Sequence, residues 1–160
     1  MVVLRLLVAA SAAMVILAPA SAGAVDLTGT WVGTLVCKDL FQGAKITFKQ
    51  KPSTVTITQN GNHLTLSRNG TATFTGFVLE ETAKPDNGRL AVSACGTDDV
   101  PGAANDDYDE MGDLTVKTKP SKGSGSIKGT SSFAEINEIG TCKWSYKRIN
   151  TADPSVPGCL

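Results

Sequence analysis

The sequence predicts an all-β fold, an eight-stranded antiparallel up-and-down barrel without a long helix, and three features carry that expectation. Apolar and polar residues alternate with period two through much of the chain from Leu27 to Asn150, the spacing of a sheet with one dry and one wet face. Asn60-Gly61 and Asn69-Gly70 separate consecutive alternating segments, and this dipeptide suits a two-residue hairpin turn whose central residues need positive φ. The first and last segments are complementary when laid antiparallel: with Trp31 opposite Arg148, Cys37 falls opposite Cys142.

Residues 1–24 have the layout of a secretory signal peptide. Arg5 is followed by an apolar run from Leu6 to Ala18 and by small residues at Ala20-Ser21-Ala22 and Ala22-Gly23-Ala24. The run is shorter than the roughly 20 residues of a membrane-spanning helix. Residues 25–150 are then expected to form one barrel domain, with 151–160 as a tail tied back by a disulfide, and the protein is expected to be secreted or periplasmic.

The strands are expected at Leu27–Cys37, Ala44–Gln59, Asn62–Arg68, Thr71–Leu79, Gly88–Cys95, Gly112–Thr118, Gly123–Ser131 and Thr141–Asn150. Pro52 cannot donate to a ladder, so the second strand bends there. Nine strands would leave the last unable to pair antiparallel with the first, which favours one bent strand over two. Lys84 to Arg89, "KPDNGR", is a further turn signal, and "SSFAEINEIG" is the only stretch with room for a helical turn or two.

One face of these strands gathers Trp31, Leu35, Ile46, Phe48, Val55, Ile57, Leu64, Leu66, Phe74, Val78, Leu90, Val92, Leu114, Val116, Ile127, Trp144 and Tyr146. The other is largely Thr, Ser and Lys. An apolar lumen inside a wet outer wall follows, with hardly an inward polar group besides Arg148, and closure leaves no edge strands. The seam between first and last strand sets the guanidinium of Arg148 over the indole of Trp31, a cation–π pair that plugs one end, and Gly29 and Gly33 leave room for the rings.

The four cysteines all follow the leader, and an even count in an exported chain reads as two disulfides. The seam register gives Cys37–Cys142, which leaves Cys95 for Cys159. No metal and no cofactor are expected. Lys plus Arg and Asp plus Glu number 15 each, so no basic excess points to nucleic acid, or to membrane once the leader is removed. The one histidine, His63, falls on an outward position away from the cysteines and acids, and no catalytic constellation forms, so the protein is expected not to be an enzyme.

Gly29-Thr30-Trp31 on the first strand, with Arg148 near the end of the last, resembles the Gly-x-Trp and terminal-strand Arg pair of lipocalins and other calycins; "LTGTW" is also similar to the first strand of avidin-like proteins. The resemblance implies a barrel with Trp31 and Arg148 closing one end, and a small-molecule carrier. The function expected on that basis is non-catalytic binding of a small apolar molecule in or at the open end, with Leu35, Phe48, Phe74, Trp144 and Tyr146 as ligand contacts. The alternative is a filled barrel that engages a protein partner through its acidic rim. That rim, the loop from 96 to 113, holds Asp98, Asp99, Asp106, Asp107, Asp109, Glu110 and Asp113. Their spacing departs from a twelve-residue calcium loop, and hydrated charge is the simpler expectation.

Overall fold

Eight strands close into a barrel in simple sequence order in the computed structural model, which describes residues 25–81, 84–95, 109–135 and 138–156. They are β1 (Gly29–Phe41), β2 (Ala44–Asn60), β3 (His63–Arg68), β4 (Ala72–Glu81), β5 (Lys84–Ala94), β6 (Asp109–Lys119), β7 (Ser124–Glu135) and β8 (Glu138–Asn150). Every pairing is antiparallel, and β1 joins β8. No α-helix occurs among the described residues, where a single 3₁₀ turn links β6 to β7 at Pro120–Lys122. The segment Ser131–Gly140, expected to hold a helical turn, instead ends β7 and begins β8, because its cross-strand partners extend alongside it: Phe133 pairs with Gly140 and Ala134 with Ile139.

The hairpin turns follow from their residues. Asn69 and Gly70 both take positive φ, and Gly61 does so in the β2–β3 turn. The bend expected at Pro52 is present within one strand. Gly33 pairs with Ser53 and Leu35 with Gln50, so β2 spends one more residue than β1 across this interval. That extra residue switches the parity of β2 and keeps Ile46 and Phe48 on the same face as Val55 and Ile57.

The seam has the expected register. Trp31 lies opposite Arg148 and Cys37 opposite Cys142, and these two cysteines form a disulfide. Cys95 is disulfide-bonded too, while Cys159 lies outside the described residues. The tail runs back along the outside of β2, where Thr58 Oγ1 donates to Asp153 Oδ1 at 2.9 Å and accepts from the Val156 amide at 3.1 Å.

The two ends of the barrel differ. Val25 and Leu27 fold under the closed end, where the side chain of Gln59 donates to the Val25 carbonyl and accepts from the Leu27 amide. At the other end the rim is uneven. β3 reaches only as far as the row of Val55, so Ala44–Pro52 of β2 pairs with β1 alone among the described strands. The far halves of β1, β2, β7 and β8 therefore stand above β3–β5 as an overhang. Among the described residues no helix is long and apolar enough to cross a membrane.

Candidate functional site

At the closed end Trp31 is fully buried and donates its indole N–H to the Leu27 carbonyl at 3.0 Å. Arg148 lies 4.7 Å above its ring and donates to the Asp26 carbonyl. Burial pushes the Arg148 guanidinium below its ordinary range, partly offset by nearby Asp26. Glycine makes this packing possible. A Cβ on Gly33 would lie 2.0 Å from the Ser145 carbonyl oxygen, and one on Gly125 would lie 2.9 Å from the Trp31 ring.

Halfway up, the lumen is filled and more polar than the sequence pattern implies. Arg68, Glu110, Ser53 and Ser131 are all buried there, and Thr118 is buried nearer the closed end, opposite Gly125. Arg68 donates to Glu110 Oε1 at 2.8 Å, Ser131 donates to the same oxygen, and Trp144 Nε1 donates to Ser131 Oγ at 2.7 Å. The guanidinium of Arg68 lies 5.0 Å from the Phe74 ring centre and 5.1 Å from that of Trp144. Tyr146 shares a 2.7 Å hydroxyl bond with Ser53, which in turn donates to Asn69 Oδ1. Burial, foremost, raises the Tyr146 phenol above its usual range, and the bond to Ser53 works against it. Asn69 is thus held on both sides of its amide, since Nδ2 donates to Gln50 Oε1, so its Asn-Gly-Thr sequence serves the turn.

These positions correct two expectations about the acidic rim. Glu110 is 1 % exposed and points into the lumen, because β6 begins at Asp109 rather than Gly112 and Glu110 shares the inward parity of Leu114 and Val116. Asp113 lies four residues into β6 on the outer wall, exposed and bridged to Arg89. Asp109 begins β6, while Asp98, Asp99, Asp106 and Asp107 lie outside the described residues. The inward pair Arg68 and Glu110 escaped the sequence reading, although Arg68 follows Leu64 and Leu66 at two-residue steps. Glu110 was hidden in a run of acids.

The aromatic and aliphatic candidates divide between two places. Leu35, Phe74, Trp144 and Tyr146 are buried in the filled lumen, with Phe74 edge-on to Trp144 and ring centres 5.7 Å apart. Phe48 is not in the lumen. It lies opposite Cys37 on the lumen-side face of the overhang and is 51 % exposed, with Ile46 at 45 % and Phe41 at 39 %, because no described strand of the low rim rises to cover them. Leu40 and Ile139 are paired and exposed on the outer side of the same overhang. A groove of about 770 Å³ lies among Lys38, Leu40, Lys45, Ile46, Phe133 and Ile139. Asp39 lines it too; burial raises its carboxyl above the usual range and a hydrogen bond with Glu138 opposes this. His63, on the outer wall, packs against Phe77 with ring centres 4.2 Å apart. Among the described residues no cluster of His, Cys, Asp and Glu is placed to hold a metal.

The arrangement defines a closed, eight-stranded, up-and-down antiparallel barrel compatible with a calycin-like architecture, tied at its seam by a disulfide. No protein-family model, no curated protein and no solved structure matches the chain.

Proposed function

We propose that this is an exported, non-catalytic binding barrel of the calycin type, and that it takes a small apolar molecule at the overhanging open end rather than deep in the lumen. One observation carries the reading: Phe41, Ile46 and Phe48 stand on the lumen-side face of the overhang and remain 39–51 % exposed. Large apolar side chains concentrated at one rim mark a recognition surface. The adjoining groove is within the size range of small-molecule sites. The filled mid-lumen supports a site at the mouth, since a ligand going deeper would have to displace the Arg68–Glu110 pair. Residues 1–24 act as the export signal in this reading, and an oxidised cysteine pair suits an oxidising compartment.

The same filled lumen favours a second reading, a protein-interaction module. The contact would then be made by the apolar overhang together with the acidic loop.

Native mass spectrometry of the oxidised protein, paired with a Nile red titration, tests the proposal. The expected result is a bound small molecule displaced stoichiometrically by the probe, with Ile46→Thr and Phe48→Ser abolishing binding and Phe77→Ser on the outer wall leaving it intact. Saturable binding unchanged by the overhang substitutions, or no binding at all, overturns it.

A further inference from the structure

We propose that the outer wall formed by β7, β8, β1 and β2 is a docking surface for a linear anionic polysaccharide. The chain is neutral overall, but its charge is segregated. Register places Lys128 of β7, Lys143 and Lys147 of β8, Lys38 of β1 and Lys49 of β2 on outward positions, all exposed. The outward positions between them are mainly Ser and Thr, and none on these four strands is Asp or Glu. Lys117 of β6 extends the row, opposite Ser126, which lies opposite Lys147. The two ion pairs of the described residues, Arg68–Glu110 and Arg89–Asp113, involve none of these lysines.

Spacing and side-chain chemistry choose the occupant. Lys49 and Lys143 share a cross-strand row with Val36 between them, as Lys117 and Lys147 do with Ser126, which separates each pair by two strand spacings, or about 10 Å. Cations spread at this interval over a sheet suit a flexible chain whose anionic groups recur along its length. Single-stranded nucleic acid is gripped by stacking its bases on aromatic rings, and no Phe, Tyr or Trp occupies an outward position on these four strands. Arginine, the residue that forks onto phosphate and base edges, is absent from those positions as well. A bilayer would call for large apolar side chains inserted among the lysines; the centre of the wall offers Ser145, Thr34 and Thr130 with the short, half-buried Val32 and Val36, and Leu40, Ile139 and Ile149 stand only at its two ends. Those hydroxyls can exchange hydrogen bonds with sugar hydroxyls while the ammonium groups neutralise sulfate, phosphate or carboxylate.

Fluorescence anisotropy with labelled dextran sulfate, at low and physiological salt, tests the assignment on the full mature chain. Two triple variants remove equal charge: K128Q/K143Q/K147Q in the wall, and K84Q/R89Q/K122Q outside it, on β5 and in the turn between β6 and β7. The wall variant is expected to lose about tenfold in affinity, from three exposed ion pairs, and the other variant less than about twofold, both melting as the parent does. Binding is expected to weaken steeply with salt and to be absent for neutral dextran. Equal losses in the two variants overturn the proposal, as does equal binding of neutral dextran. Tighter binding of oligothymidylate or of phosphatidylglycerol vesicles overturns it too, moving the surface to nucleic acid or to membrane.

Discussion

Arg68 and Glu110 are the residues whose positions say most about the interior. A buried charge pair adds little over a well-packed apolar pair, but removing one partner strands the other. Glu110→Ala is therefore expected to lower unfolding free energy by about 3–5 kcal/mol in denaturant titrations, and Arg68→Met with Glu110→Leu to recover most of it. Recovery failing in the double variant would mean that Ser131 and Trp144 depend on the carboxylate for more than charge balance. Tyr146 gives a pH signature. Its pKa is raised in the fold, so its contribution is present in full below the ordinary tyrosine value near 10 and is lost as pH rises through the folded value. Absorbance at alkaline pH should show its phenol ionising only as circular dichroism reports unfolding. The plug residues Trp31 and Arg148 could be placed from sequence because two long-range features, a charge–aromatic pair and a cysteine pair, shared one register. Arg68 and Glu110 could not be matched in that way, for they sit on β3 and β6, whose relation depends on two intervening strands.

At the scale of elements, the β3–β4 hairpin was legible because Asn69-Gly70 supplies the positive φ of its turn, whereas Asn60 stays in β2 and the β2–β3 turn is Gly61-Asn62, one residue past the expected dipeptide; the faces were legible because period two survives wherever a strand is buried on one side. Strand ends were not. β1, β7 and β8 each run beyond their expected limits because neighbours continue to pair, a tertiary effect that the apolar pattern alone does not carry. The overhang leads to a dynamic prediction. Residues 44–50 of β2 pair on one side only, while 55–57 pair on both, so amide exchange is expected to be markedly faster in the first group. Uniform protection along β2 would show that another segment covers its edge. Gly33 gives a steric one: its Cβ would meet a carbonyl of β8, so Gly33→Ala is expected to loosen the β1–β8 seam, seen as exposure of Trp31 fluorescence and a lowered melting temperature. An unchanged melt would mean that the strands can part at little cost.

Taken as a whole molecule, the fold was readable from its ends: a strand count of even parity and one seam register suffice to close an up-and-down barrel. What lay beyond reading was height, because the uneven rim depends on how far each strand is accompanied by its neighbours. Replacing Cys37 and Cys142 with alanine is expected to cost about 2–5 kcal/mol, by denaturant titration of the oxidised parent and the variant, since the bridge closes a loop with a sequence separation of 105. A loss well under 1 kcal/mol would show that the seam's hydrogen bonds hold β1 and β8 together unaided. The seam also has a topological consequence. Every strand pairing except β1 with β8 joins neighbours in sequence, so the strands form a ring in which the position of the chain ends is incidental to the order of contacts. Cutting that ring at the exposed Gly61-Asn62 turn and linking the old ends across the closed floor would leave each strand between the same two partners. Such a circular permutant turns the seam into one more local hairpin and passes the one long-range closure to β2 and β3, which pair over fewer residues than β1 and β8 do.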